Sequence, residues 1–327
     1  MRRPEPLPAP IRNAVFTGRQ AAALGVAPDR LRAGDLRRVG AGLYAHGDVV
    51  VADLALAAAL RYLDPRSWMS HLSAATHHGL WLPPSGDDGL LHISRFPGSV
   101  RRRARGIASH EGMPLDGEVE FVRPVPGAPT GVDGTVSTRP RAWLELATTL
   151  DEDSLVAIGD QLVRRPDERG GRRAPYATIT VLAEMLARHP HMNGVARARR
   201  ALELVRVGSD SRPESLLRLA LVRAGLPEPE LQISLDPRDF AAPSADLGYR
   251  ERKIVLQYEG AQHRTPAQFA RDIHRDQRFQ DAGWTSYKYS AEDLQTGFGR
   301  AVHEMRAALR VPPTNRRPGN DADPSRE

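Results

Sequence analysis

The stretch that most restricts the fold of this chain runs from Ser244 to Glu259 and reads SADLGYRERKIVLQYE. Two short apolar segments flank a charged RER triplet, a pattern that indicates two strands joined by a polar turn. Acidic residues lie at both ends of this hairpin, although most of it has the composition of a buried element. That placement predicts a functional site at the ends of the two strands.

The alternation of side chains along a strand decides which of these residues share a face. Gln257 and Glu259 point the same way along the second strand. Asp246 shares that face if the loop contains an even number of residues, because it then lies opposite an odd-numbered residue. We predict a two-residue turn at Arg250 and Glu251, which brings Asp246 and Glu259 close enough to share one cation.

These residue types predict a metal site. A hard divalent ion such as Mg²⁺ prefers oxygen ligands from one or two carboxylates plus water, so we assign Asp246, Glu259 and Gln257 as ligands, with Mn²⁺ as an alternative ion. Such an ion polarises a phosphodiester and activates a water for attack. His263 lies just past the strand and is a candidate general base or phosphate contact, since the pKa of histidine lies near neutrality.

Predicted helices flank the hairpin on both sides. Ser211 and Glu214 form a capping box at the start of the first helix, and on this pattern alone Glu214 is only a cap. Arg271 and Arg275 lie on neighbouring turns of the second helix, with aspartates spaced between them. That helix is either a salt-bridged surface helix or a phosphate-binding helix beside the acids, and we assign both arginines to DNA binding.

The same region resembles a known family. The segments ESLLRLALVRAGLPEPELQ, ADLGYRERKIVLQYEGAQHRT and RDIHRDQRFQDAGWTSYKYSAEDL are similar to the domain-of-unknown-function family related to very-short-patch repair (Vsr-like) endonucleases, in the PD-(D/E)xK superfamily. The resemblance implies a restriction-endonuclease-like α/β core and Mg²⁺-dependent cutting of DNA. It implies catalytic roles for Glu214 as the helix acid, Asp246 as the first metal ligand, Glu259 as the acid before the glycine, and His263, and it matches Asp272 to the aspartate of the next helix.

One position departs from that family. Gln257 stands where members commonly carry glutamate, and no (D/E)-x-Lys triplet is present on this strand. An amide coordinates a cation through its carbonyl oxygen but brings no charge. The departure leaves open a DNA-binding protein whose nuclease fold does not cut.

The N-terminal segment FTGRQAAALGVAPDRLRAGDLRRVGAGLYA has the order helix, turn, helix, β-wing, which predicts a winged helix-turn-helix. A capping box at Thr17 and Gln20 begins its first helix. The candidate DNA-binding residues are Arg30, Arg32, Arg37 and Arg38, and the alternative is a packing module with solvated arginines. The segment resembles the winged helix of AbiEi-type antitoxin regulators, which implies transcriptional autoregulation.

We therefore predict a multidomain α/β protein in five parts. They are a winged helix-turn-helix at 1–48, an α+β middle domain similar to the AbiEi-like one at 49–165, a linker and helical bridge at 166–210, the restriction-endonuclease-like domain at 211–310 and a disordered tail at 311–327. We assign no chemistry to the middle domain. Its histidines at 71, 77 and 78 are expected to be packed or surface residues rather than metal ligands.

Composition narrows the partners and the compartment. The chain contains no cysteine, which excludes disulfides and thiolate zinc sites and favours a reducing cytoplasm. It has neither a signal-peptide pattern nor an apolar run long enough for a membrane span. The net charge of +6 favours DNA as a partner, although Lys253 and Lys288 are the only lysines, a bias typical of GC-rich coding.

Three functions remain after this reasoning. The first is a Mg²⁺-dependent DNA endonuclease of restriction or repair type. The alternative is a DNA-binding, antitoxin-like transcriptional regulator with an inactive nuclease fold. The third is a protein-interaction module. Cutting both strands usually needs two active sites, so a homodimer is one arrangement that the sequence leaves open.

Overall fold

The computed structural model describes residues 4–310, except residues 41, 50, 100–105, 124, 129–131, 166, 169–170, 173, 237, 240–241 and 261–265. For residues 167–168, 171–172 and 266–271 it describes only the backbone. The chain is mixed α/β and divides into two compact units, Met1–Arg206 and Val207–Glu327. Their boundary falls within the stretch predicted as linker and bridge, and the predicted tail at 311–327 lies outside the described residues.

The N-terminal unit begins with short helices and a small sheet. Its first elements are α1 (Ala9–Arg12), β1 (Phe16–Thr17), α2 (Gly18–Ala23), a 3₁₀ helix (Pro28–Arg32), β2 (Leu36–Gly40) and β3 (Leu43–His46). β3 lies between β1 and β2 and is antiparallel to both. The predicted capping box is confirmed, because the Gln20 N–H donates to Thr17 Oγ1 at 3.0 Å and the Thr17 N–H to Gln20 Oε1 at 2.8 Å. The predicted second helix is a single 3₁₀ helix, a form common in such short segments.

The rest of this unit surrounds a five-stranded sheet. The elements are α3 (Asp53–Arg61), β4 (Trp68–Met69), α4 (His71–His77), a 3₁₀ helix (Pro84–Gly86), β5 (Leu91–Arg95), β6 (Ile107–Glu111), β7 (Val119–Val122), β8 (Gly134–Ser137), α5 (Arg139–Leu146), α6 (Glu152–Val163), β9 (Asp167–Glu168), β10 (Gly171–Arg172), α7 (Ile179–Arg188) and α8 (Val195–Leu204). The sheet has the order β6-β5-β4-β8-β7 and contains parallel and antiparallel pairs. Trp143 of α5 is fully buried, and its indole N–H donates to the Leu155 carbonyl of α6 at 2.9 Å.

The middle-domain histidines are packed or surface residues, as predicted. His78 is buried and hydrogen-bonds the Ser137 carbonyl through Nε2 at 2.7 Å. His71 is also buried, and its ring stacks on His110 with centroids 3.7 Å apart. His77 is exposed.

The C-terminal unit is built on a four-stranded sheet. Its elements are α9 (Arg212–Arg223), β11 (Glu230–Ser234), β12 (Ser244–Tyr249), a 3₁₀ helix (Arg250–Arg252), β13 (Ile254–Tyr258), α10 (Pro266–Asp281), β14 (Thr285–Tyr289), α11 (Ala291–Gln295) and α12 (Gly299–Arg310). The order is β11-β12-β13-β14, with the first three strands antiparallel in sequence and β14 parallel to β13. Leu256 packs in the cluster formed with α9 and α12, whereas Val255 packs against Phe279 of α10. Because adjacent strand residues face opposite ways, the helices cover both faces of this sheet.

The predicted hairpin has the expected parity but a different turn. Leu247 lies opposite Leu256 and Tyr249 opposite Ile254, so the loop runs from residue 250 to residue 253 and contains an even number of residues. The two-residue turn was wrong. The 3₁₀ helix and Lys253, whose φ of 51° is left-handed, close a longer turn. Continuing the register places Asp246 opposite Gln257, on the face that α10 covers.

Candidate functional site

Glu214 occupies the first turn of α9 and points into the protein. Pro213 and the Ser211 cap fix the start of this helix. The Glu214 carboxylate accepts hydrogen bonds from Ser211 Oγ and from the Asp210 N–H, both at 2.8 Å. The residue is only 7% exposed. Ser211 caps the helix, but the Glu214 carboxylate bonds the Asp210 N–H in place of the Ser211 N–H that a capping box requires. The predicted capping box therefore forms only in part, and Glu214 is a buried acid.

Asp246 of β12 is the neighbouring acid. Its Oδ2 accepts the Tyr258 N–H at 2.8 Å, which ties the carboxylate to the end of β13. Burial raises the pKa of Asp246, and the charges of two nearby aspartates add to this, while the Tyr258 hydrogen bond and the Arg275 charge oppose it. Burial and then the charge of Asp246 raise the pKa of Glu214 to about 8. Glu214 therefore lies near enough to Asp246 for the charge of Asp246 to disfavour ionisation of Glu214.

Gln257 is enclosed between two residues of α10. It is 1% exposed. Its Oε1 accepts from Arg275 Nη2 at 2.7 Å, and its Nε2 donates to Asp276 Oδ1 at 3.3 Å. An amide satisfies both neighbours because it carries an acceptor and a donor, whereas a carboxylate carries only acceptors.

Glu259 follows β13 and is paired with Lys288 of β14. The Lys288 ammonium lies 2.8 Å from Glu259 Oε1 and 2.5 Å from Asp276 Oδ2. Partial burial lowers the pKa of Lys288, but hydrogen bonds to Asp276 and Glu259 outweigh this and raise it. Lys288 lies beside Gln257 in the parallel register of β13 and β14. Sequence reasoning missed Lys288 and Asp276 as site residues, although the scarcity of lysine was a signal that could have found Lys288.

The C-terminal residues predicted for the site meet in the structure as far as it describes them. Glu214, Asp246, Gln257, Glu259 and Arg275 lie at the ends of β12 and β13 and on the adjoining helices. Arg275 faces the site and contacts its own-helix neighbour Asp272 at 3.3 Å. His263 and the side chain of Arg271 lie outside the described residues.

The predicted arginines of the N-terminal segment differ in their contacts. Arg30 binds both oxygens of Asp35, at 2.8 and 2.6 Å, and its side chain is only 10% exposed. Arg37 donates to the Val49 carbonyl at 2.6 Å. Arg32 forms an exposed pair with Asp29, and Arg38 is exposed on β2. Arg30 is therefore a largely buried structural residue, whereas Arg32, Arg37 and Arg38 are exposed, although Arg32 and Arg37 also have partners.

The donors of the C-terminal site fit a divalent ion in a limited way. Within the described ranges, no group of three or more histidine, cysteine or acidic residues is arranged to hold a metal. Asp246 and Glu214 supply two carboxylates, and Mg²⁺ commonly binds through one or two carboxylates, with water and substrate oxygens completing its shell. The charge of Asp246 disfavours ionisation of Glu214, and a cation bound by both carboxylates would offset that effect.

Comparisons with known proteins give two weak relatives. The chain is 28% identical over 172 residues to uncharacterized protein Rv2248 of Mycobacterium tuberculosis strain ATCC 25618 / H37Rv. It is equally similar to uncharacterized protein MT2308 of strain CDC 1551 / Oshkosh. Each match covers 52% of this chain and 60% of the relative. No protein-family profile and no solved structure matches the chain. No helix in the described part of the chain is long and apolar enough to span a membrane.

Proposed function

We propose that the protein is a Mg²⁺-dependent DNA endonuclease of restriction or repair type, with its site in the C-terminal unit and an N-terminal winged helix that contacts DNA or a partner. The observation that carries the proposal is Asp246, which the Tyr258 N–H holds at the end of the sheet with the Glu214 carboxylate and the Arg275 guanidinium nearby. Lys288 on the edge strand pairs with Glu259 and Asp276. Two carboxylates next to two cations are suited to a metal ion and the phosphate of a nucleic acid.

The order of elements supports the proposal. A helix, three antiparallel strands, a second helix and a strand parallel to the third follow one another in the C-terminal unit. This is the order of a restriction-endonuclease-like core, to which the sequence is similar. The activity is inferred from the residues of the site and not from the fold, because one fold carries many activities.

The residues have separate roles in this proposal. Asp246 and Glu214 would hold Mg²⁺ or Mn²⁺, which supplies Lewis acidity toward the phosphodiester and a more acidic water. The Tyr258 N–H keeps Asp246 in place. Lys288 and Arg275 provide positive charge for a phosphate, and Glu259 positions the Lys288 ammonium. The helix cap holds the Glu214 carboxylate on the inward side of α9.

A second function is favoured by one specific observation. The two further ligands suggested by the sequence, Gln257 and Glu259, are engaged with Arg275, Asp276 and Lys288. Such engagement is what a vestigial nuclease fold would display. The alternative is then a DNA-binding transcriptional regulator, similar to AbiEi-type antitoxins, that binds DNA through the winged helix and its exposed arginines.

Nicking of supercoiled plasmid distinguishes the two functions. We expect the purified protein to nick plasmid with Mg²⁺ or Mn²⁺ and Asp246→Asn to abolish nicking. Glu251→Gln is the matched control, because Glu251 is an exposed acid in the turn of the same hairpin. DNA binding without nicking in either metal would reject the endonuclease and favour the regulator. Nicking that survives Asp246→Asn would reject the proposed site.

A further inference from the structure

We infer that a cleft beside Lys288 binds a nucleobase of the DNA strand whose phosphate occupies the site, an inference that rests on the proposed function. The cleft has a volume of about 420 Å³ and is lined by Asp276, Gln280, Trp284, Thr285, Ser286 and Lys288. This volume is within the range of small-molecule sites.

The cleft is continuous with the acid site through two shared residues. Asp276 and Lys288 line the cleft, and the Lys288 ammonium also contacts Glu259. A group in the cleft therefore lies next to the cation that we assign to the phosphate. A nucleotide matches this arrangement, because it joins an anionic phosphate, suited to the ammonium, to a neutral base, suited to the cleft.

Three other residues of the cleft have the chemistry of base recognition. Gln280, Thr285 and Ser286 are exposed and offer an amide and two hydroxyls, which can donate to and accept from a base edge. These groups are uncharged, so they recognise a polar, neutral ligand rather than a second phosphate.

Trp284 gives the cleft an aromatic wall. Its ring packs edge-on against buried Phe279, with centroids 5.6 Å apart and planes at 75°. That contact holds the half-buried indole in one orientation, and aromatic surfaces of this kind bind bases of any sequence. In the described sheet β14 is the edge strand, so its outer side is open to a ligand.

Two glutamines on the same helix provide a matched test. Gln280 lines the cleft, whereas Gln277 is exposed and donates to Asp281 Oδ1 at 2.8 Å. Binding of the full-length protein to a fluorescein-labelled dT12 strand and to an abasic strand with equal phosphates is measured by anisotropy, in EDTA to prevent metal-dependent cleavage.

We expect the wild type to bind dT12 about tenfold more tightly than the abasic strand, the scale of one or two base contacts. Gln280→Ala should bring this ratio below about threefold while leaving abasic binding unchanged, and Gln277→Ala should keep the wild-type ratio. Equal ratios in all three proteins would overturn the inference, as would binding to neither strand, which would favour a protein ligand.

The plasmid assay separates the two proposals. Nicking with an unaltered ratio in Gln280→Ala rejects the cleft and leaves the endonuclease. A ratio lost in Gln280→Ala without any nicking retains the cleft as a base-binding site and rejects the endonuclease.

Discussion

Replacing Gln257 by glutamate tests whether the amide is kept for stability at the expense of metal binding. The substitution removes the N–H that Gln257 donates to Asp276. It places a second carboxylate close to the Asp276 carboxylate, since Gln257 Nε2 and Asp276 Oδ1 are now 3.3 Å apart. Charges about 4 Å apart repel by about 4 kcal/mol at an effective dielectric constant of about 20. A stronger bond to Arg275 offsets part of this, since hydrogen bonds to charged groups contribute about 1.5–3 kcal/mol.

We therefore expect Gln257→Glu to lower the free energy of unfolding by about 2 kcal/mol in EDTA at pH 8. The loss should shrink at pH 5, because the introduced carboxyl group, once protonated, again donates a hydrogen bond to Asp276. Mg²⁺ should stabilise the variant more than the wild type and should increase plasmid nicking, since a third carboxylate joins the site.

Urea denaturation with and without Mg²⁺ measures these differences. Gln277→Glu is the control, because Gln277 also bonds an aspartate but is exposed. This variant should lower the free energy of unfolding by only about 0.5 kcal/mol. The reasoning is refuted if Gln257→Glu is as stable as the wild type in EDTA, or if Mg²⁺ stabilises the two equally.

Three further predictions concern the acid pair, the lysine and the arginines. Because the pKa of Glu214 is raised from 4.5 to about 8, the stability that this shift contributes is complete below pH 4.5 and is lost as the pH rises through 8. Glu214→Gln should abolish this decline in the free energy of unfolding, which urea denaturation between pH 5 and pH 9 measures. Lys288→Met should reduce nicking at least tenfold, because it leaves the carboxylates of Glu259 and Asp276 unneutralised. Lys253→Met removes only a bond to a backbone carbonyl and should leave nicking unchanged. Equal loss of nicking in both variants, measured on gels, would contradict the role of Lys288. Arg30→Ala should lower the free energy of unfolding by about 2 kcal/mol, because it removes the guanidinium paired with Asp35. Arg38→Ala should weaken DNA binding, measured by anisotropy, without lowering the melting temperature, measured by calorimetry.

The hairpin illustrates what local sequence can predict. The shared face of Asp246 and Gln257 follows from strand alternation, a property of neighbouring residues, and the register confirms it. The turn length was not predictable in the same way. Lys253 adopts a left-handed conformation that sequence patterns assign mainly to glycine and asparagine, so a longer turn was not distinguishable from a two-residue one.

The site depends on contacts between distant segments. The link between Ser211 and Glu214 was predictable because these residues are three apart, but the position of Glu214 near Asp246 results from the packing of α9 on the sheet. Lys288 meets Gln257 only because β14 pairs in parallel with β13 after the whole of α10. The sequence around Lys288 is an ordinary short strand and carries no local sign of that neighbour.

The choice of lysine at position 288 has a physical reason in a chain that otherwise uses arginine. The Lys288 ammonium contacts carboxylates from two different elements, Glu259 after β13 and Asp276 on α10. An ammonium is a compact charge with three donors that can point in separate directions, whereas a guanidinium is a rigid planar fork. Arg30 uses that fork to bind both oxygens of Asp35. At position 288 one small cation therefore joins two acids, and the same residue lines the cleft.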